Sequence, residues 1–124
     1  MNSTARAKLY LKNTCPFCLK LRIFLTEARI ADRFDFVVFV DGDDTHKALR
    51  QRMEVAGQSP SFPAAEFEEG MLVTGTDDLI ARFAKEAAVE PAALPLLAYY
   101  SAGVFPRYGE MFRELRQIKA ASVS

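Results

Sequence analysis

The sequence has 124 residues, of which 50% are hydrophobic and 26% charged, a size and balance at which one domain with its own core is expected. Ten Phe and four Tyr exclude a disordered chain. Sixteen basic residues cancel sixteen acidic ones, so the net positive charge that marks nucleic-acid binders is absent and no nucleic-acid partner is expected. Met1 to Lys8 shows no apolar core behind a basic start, which reads as no secretory leader and sets the expectation of a cytoplasmic protein. The longest apolar stretch, Ala92 to Phe105, is interrupted by Pro95, Ser101 and Gly103 and falls short of the about 20 apolar residues a spanning helix needs. No membrane span is expected.

Lys8 to Leu11 reads as a short strand ending at Asn13-Thr14. Cys15-Pro16 then opens a stretch with apolar residues at Phe17, Leu21, Phe24, Leu25 and Ala28, the spacing of an amphipathic helix with proline in its first turn. Phe34 to Val40 is dense in Phe and Val without helical period and reads as a buried strand, parallel to the first because a helix connects them. Asp44 or Thr45 is placed to cap a second helix that runs to about Val55, with Leu49 and Met53 on one face and Gly57 ending it. The turn Asp41-Gly42-Asp43-Asp44 begins like a calcium loop, but the sixth position is His46 and the twelfth Arg52, so it reads as a capped turn with His46 on the surface. Pro60 and Pro63 make Gln58 to Pro63 a loop of fixed shape. Ala64 to Phe67 and Met71 to Val73 form a hairpin around Glu68-Glu69-Gly70. Thr76 is read as the cap of a third helix with Asp77 and Asp78 in its first turn and Leu79, Ile80, Phe83, Ala84 and Ala87 on one side.

The order βαβαββα over residues 1–88 predicts an α/β domain, a mixed sheet with helices on both faces. Residues 89–124 read as a C-terminal helical extension packed on the same domain. Glu90-Pro91 and Pro95 punctuate one short helix, and Phe105-Pro106 opens another carrying Tyr108, Met111, Phe112, Leu115 and Ile118 at helical spacing. Burial of that stripe in the domain core is expected, while Tyr99, Tyr100 and Phe105 are candidates for a dimer interface or a protein-substrate site.

The chemistry lies in Cys15-Pro16-Phe17-Cys18, which holds both cysteines of the chain. Cys15 falls at a strand-to-helix junction, where unpaired amides and the helix dipole favour a thiolate, and Lys12 adds a nearby positive charge. Cys18, one turn inward, is within reach for a disulfide and reads as the resolving thiol. The competing readings are a buried, inert pair or half of a zinc site. Zinc needs four ligands, and only His46 remains as a soft candidate, so no metal is expected.

Leu9 to Cys18, with its strand, Lys12 and Cys-Pro-Phe-Cys, resembles the signature of the glutaredoxins, a family of the thioredoxin-like superfamily that also includes the N-terminal domains of glutathione S-transferases; Phe17 stands where the family usually has Tyr. Ser61-Phe62-Pro63 is similar to the family's Thr-Val-Pro segment, whose proline is cis, and Gly75-Thr76-Asp77-Asp78-Leu79 to the signature that opens its third helix. The loop before Pro63 is one residue longer than usual, and Thr74 replaces the first of two glycines. The resemblance implies a thioredoxin-like, glutaredoxin-type mixed four-stranded sheet and a glutathione site. There Phe62 offers its backbone to the cysteinyl part of glutathione, Pro63 aims that backbone at Cys15, and Thr76 with Asp77 takes the γ-glutamyl end. Lys12 and Arg50 face the glycine carboxylate, and Phe17 belongs to the same set.

The expected activity is therefore a glutathione-dependent thiol-disulfide oxidoreductase with Cys15 as nucleophile, glutathione as cosubstrate, and glutathionylated or disulfide-containing proteins as partners. The rival is a non-catalytic or redox-sensing thioredoxin-like binding module, related to glutathione S-transferase N-terminal domains, that docks through its C-terminal helices. Iron-sulfur carriage between two subunits is a third option, against which Pro16 argues, because cluster-binding glutaredoxins more often lack that proline.

Overall fold

The computed structural model describes residues 6–123, so residues 1–5, part of the segment read for a leader, lie outside it. The chain runs β1 (Ala7–Lys12), α1 (Pro16–Glu27), a 3-10 turn (Ala31–Arg33), β2 (Phe34–Phe39), α2 (Asp44–Val55), β3 (Ala64–Glu68), β4 (Met71–Thr74) and α3 (Thr76–Ala87). The extension follows as a 3-10 turn (Pro91–Ala93), α4 (Pro95–Tyr99), a π turn (Tyr100–Val104) and α5 (Phe105–Val123). The four strands form one mixed sheet in the order β2-β1-β3-β4, with β1 and β2 parallel and the other pairs antiparallel.

Alternation along the strands assigns the two faces. Leu9 and Leu11 of β1, Phe34 of β2 and Ala65 of β3 meet Leu21, Phe24 and Leu25 of α1 and Leu79, Ile80 and Phe83 of α3. Tyr10, Phe39, Ala64 and Leu72 turn the other way, onto Leu49 and Met53 of α2. Phe24, Phe39, Phe83 and Met53 are fully buried, and each such side chain stabilises the fold by about 2 kcal/mol through removal from water. On the α2 face, Glu66 accepts from Tyr10 Oη at 2.6 Å, from Arg52 at 3.2 Å and from the Gly70 amide at 2.7 Å. Burial opposes its charge, but these donors hold the carboxyl down at about 2.

Four expectations from the sequence are corrected. β2 is an edge strand, with Val38 exposed, because the crossover places it outside β1. The cap of α2 is Asp43, whose carboxylate accepts from the His46 amide at 2.8 Å. Gly75, at φ +106, caps α3 in a conformation costly for a residue with a Cβ, so Thr76 is the first helical residue. His46 is buried at 8% exposure: its Nδ1 accepts from the Gly42 amide at 2.8 Å and its ring packs on Phe39 and Phe62.

The extension is a single helical run from Pro95 to Val123, broken in period by the π turn. Its start is fixed by Glu27 of α1, whose carboxylate accepts from the Leu96 and Leu97 amides at 2.7 and 2.8 Å, the charge a helix N-terminus favours. Leu97 and Tyr100 are buried, whereas Met111, Leu115 and Ile118 are at least half exposed, so that stripe does not join the core.

Candidate active site

β1 ends at Lys12 and the chain turns at once into α1, with the Cys15 amide bonded to the Lys12 carbonyl at 3.1 Å. This places Cys15 at the N-cap of α1, where its Sγ accepts from the Cys18 amide at 3.4 Å. Pro16 at the next position gives up no hydrogen bond, because the first helical amides have no intrahelical acceptor. Both cysteines are free thiols, 7% and 2% exposed for Cys15 and Cys18.

The pair is electrostatically unequal. A hydrogen bond from the Cys18 thiol is the largest influence on Cys15; burial opposes it, and the amides of Cys18 and Phe17 and the charge of Lys12 assist, so the Cys15 thiol is pushed down to about 6. The same hydrogen bond, with burial and the Cys15 charge, pushes Cys18 well above the usual thiol range. At neutral pH the arrangement is thus one thiolate beside one protonated thiol.

Phe62-Pro63 is a cis peptide, and the Phe62 carbonyl oxygen lies 3.9 Å from Cys15 Sγ. The half-buried Phe62 ring sits edge-on to Phe39 and His46, which anchors the loop from beneath. Burial, followed by the Lys12 charge, lowers the His46 pKa, and its Nδ1 acts as an acceptor. Lys12 is paired with Asp41 at 3.2 Å. Asp77, exposed in the first turn of α3, is paired with Lys20 of α1 at 3.0 Å. Phe17, half-buried against the core, also meets Phe105 of the extension edge-on, with centroids 5.2 Å apart.

The structure thus brings Cys15, Cys18, Lys12, Phe17, Phe62 and Pro63 into one cluster around the start of α1, with Asp77 tied to that helix through Lys20 and Thr76 beside it as the first residue of α3. Arg50 stands apart, exposed on α2, with its charge felt at His46. Asp41, Lys20 and Tyr108 also reach the site and are absent from the set read off the sequence, as do Tyr100 and Phe105, which the sequence offered only as candidates for a dimer interface or a protein-substrate site. Tyr100 Oη donates to the Pro16 carbonyl at 2.8 Å and Tyr108 Oη to the Thr14 carbonyl at 3.4 Å. Tyr100 and Phe105 therefore turn inward, while Tyr99 remains 73% exposed. Helical periodicity signalled an apolar face in this segment, but nothing local to it pointed to α1.

Beside Tyr108 an open apolar groove of about 730 Å³ runs along the extension between Tyr99, Val104 and Met111. Among the described residues no group of three metal-ligating side chains occurs, and no helix is long and apolar enough to cross a membrane.

Strand order, flanking helices and a cysteine at the start of α1 facing a cis-proline loop define a thioredoxin-like fold of the kind that forms the N-terminal domain of glutathione transferases. Human glutathione S-transferase T1-1 in its apo form superposes with a TM-score of 0.52 at 17% identity, over 68% of this chain and 33% of that one. Glutathione transferase Omega 2S from Trametes versicolor, in complex with 2,4-dihydroxybenzophenone, gives 0.50 at 18% identity, over 81% of this chain and 47% of its own. Omega 2C from the same organism gives 0.50 at 17% identity, over 67% and 38%. The chain spans between a third and a half of the length of these transferases. No family model matches the sequence, and no curated protein matches it.

Proposed function

We propose that the chain is a glutathione-dependent thiol-disulfide oxidoreductase with Cys15 as its nucleophile. The observation that carries this is the placement of Cys15 at the cap of α1, its Sγ 3.4 Å from the Cys18 amide and 3.9 Å from the Phe62 carbonyl oxygen. A thiolate is stabilised there by the Cys18 thiol, the first amides of α1 and the Lys12 charge, and the backbone beside the cis proline would pair with an extended peptide.

In the proposed cycle the Cys15 thiolate attacks the glutathione sulfur of a mixed disulfide. A Cys15–glutathione disulfide forms, and the substrate leaves as a thiolate that takes a proton from solvent. A second glutathione, as thiolate, attacks the glutathione sulfur held on Cys15; glutathione disulfide departs and the Cys15 thiolate returns. One mixed disulfide and one glutathione become one thiol and one glutathione disulfide. Cys18 adds a dithiol route, in which it displaces glutathione from Cys15 and closes an internal disulfide.

For the glutathione molecule itself, Phe62 would pair with the cysteinyl backbone beside Pro63, and the first amides of α3 at Thr76 would take the γ-glutamyl carboxylate. Asp77 would take the γ-glutamyl ammonium, and Lys12, with Arg50 further out, the glycine carboxylate; Phe17 flanks the sulfur. Lys12 and Asp77 already hold internal partners, Asp41 and Lys20, which a bound glutathione would share or displace. The site is proposed to act on glutathionylated or disulfide-containing proteins of the cytoplasm, with residues 1–88 carrying the site and 89–124 packed on them.

A second proposal, that of a binding module, draws on the exposed apolar face of Met111, Leu115 and Ile118. Incubating Cys18→Ser with glutathione disulfide and weighing the product separates the two. An adduct of one glutathione, mapped to Cys15, supports the oxidoreductase. A Cys15 that alkylates at neutral pH yet forms no adduct moves the binding module to first place.

A further inference from the structure

The extension contributes nothing to the sheet, yet its aromatic side chains converge on Thr14, Pro16, Phe17 and Lys20 around the nucleophile. Tyr100, 5% exposed, donates its hydroxyl to the Pro16 carbonyl at 2.8 Å, and Tyr108 donates to the Thr14 carbonyl at 3.4 Å. These are the carbonyls of the two residues that flank Cys15, while the Cys15 carbonyl itself accepts from the Leu19 amide. Phe105 braces the same turn, edge-on to Phe17 and 4.7 Å beneath the Lys20 ammonium. The π turn at Tyr100–Val104 makes the arrangement possible, because it brings Tyr100 and Phe105 onto one side, with ring centroids 5.5 Å apart.

From this geometry we infer that the helical extension is part of the redox centre, with Tyr100 and Tyr108 as positioning residues that clamp the backbone on both sides of Cys15. The inference rests on Cys15 being the reactive group proposed above. Two physical effects follow. A carbonyl oxygen carries partial negative charge, and a hydroxyl hydrogen seated on it reduces the repulsion a neighbouring thiolate feels. The clamp also holds the loop at the spacing where the Cys18 amide faces Sγ; a loop that relaxes by a few tenths of an ångström weakens that bond steeply. The buried arm, Tyr100, is the tighter one, and its own hydroxyl is pushed up to about 12, by burial first and then by the charges of Cys15 and Tyr108.

The test uses the full chain and the variants Tyr100→Phe, Tyr108→Phe and the double, which remove only hydroxyl groups. The rate of Cys15 alkylation by iodoacetamide is measured against pH, and a thermal melt is recorded for each variant. The clamp predicts that the double variant alkylates about three- to tenfold more slowly at pH 5, the effect of a midpoint raised by about half to one unit. Tyr108→Phe gives the smaller share of that change, and the acid limb of any turnover profile moves with it. Lowered melting with an unmoved alkylation profile would show a purely structural role and overturn the inference. Tyr108 is 40% exposed, so Tyr108→Phe keeps the test open if the buried position does not tolerate change. Alkylation needs no glutathione: a wild type without turnover would defeat the proposed oxidoreductase activity and leave the clamp to be judged by its own readout.

Discussion

The inequality of the two thiols depends on the Cys18 side chain as a donor, and two substitutions there separate chemistry from packing. Cys18→Ala removes the hydrogen bond that is the largest influence lowering Cys15, and leaves the α1 amides and Lys12 in place. A hydrogen bond to a charged group contributes about 1.5 to 3 kcal/mol, and one pKa unit corresponds to about 1.4 kcal/mol, so the Cys15 midpoint is expected to rise by about one to two units. From about 6 in the wild type, the thiolate fraction at pH 6 then falls from about one half to between about one-hundredth and one-tenth. Cys18→Ser keeps a donor of similar reach and is expected to hold the midpoint near the wild-type value. The assay is alkylation rate against pH, with mass spectrometry to assign the modified residue and a thermal melt to confirm folding. A Cys18→Ala profile that coincides with the wild type would refute the claim that the buried thiol donates to Cys15.

Four further outcomes are expected. Because the folded pKa of Cys15 lies below the unfolded value of 9.0, the stabilisation it gives is complete above pH 9 and is lost as pH falls toward about 6; Cys15→Ser should therefore flatten the dependence of Tm on pH across that window, and parallel curves would contradict it. Glu66 obeys the same sign, with its contribution present above about 4.5 and lost toward about 2, so Glu66→Gln at neutral pH should destabilise by about 1 to 3 kcal/mol in a denaturant titration. Glu27→Ala leaves the first amides of α4 without their carboxylate and should lower stability by about 1 kcal/mol and speed proteolytic cleavage before Pro95; unchanged protection would argue against this anchor. Lys12→Met should raise the Cys15 midpoint by less than Cys18→Ala does, since the Lys12 charge is the smallest of the named influences, and should raise KM for glutathione.

The parts of this fold that local chemistry controls were legible in the sequence. Proline after Cys15, aspartates at the start of α3, glycine after α2 and the period of the strands each act within a few residues, and the elements fall where those signals place them. The α/β order and the parallel β1–β2 pair follow from one crossover. What was not legible depends on distant partners. His46 is buried because Gly42 at φ +81 and the Asp43 cap fold its loop back over Phe39 and Phe62, which no window around residue 46 reveals. Gly75 rather than Thr76 caps α3 because the turn out of β4 needs a positive φ there. In the extension, the helical spacing of Tyr108, Met111, Leu115 and Ile118 defined a stripe, but the stripe carries no information about what covers it. In the structure Tyr100 and Phe105 face α1 and Tyr108 reaches the Thr14 carbonyl, while Met111, Leu115 and Ile118 stay at least half exposed.

The site residues share this division. Cys15 and Cys18 lie in a short local motif and the cis Phe62-Pro63 peptide was expected only from the family resemblance, whereas Asp41, Lys20 and the two tyrosines enter through side chains that cross from one element to another.

The central claim is that Cys15 exchanges glutathione, and a coupled assay tests it most directly: reduction of a glutathionylated small disulfide by glutathione and glutathione reductase, on the wild type, Cys15→Ser and Cys18→Ser. Turnover by the wild type, its abolition in Cys15→Ser and its survival in Cys18→Ser is the predicted pattern. No wild-type turnover, or equal loss in both variants, would contradict it.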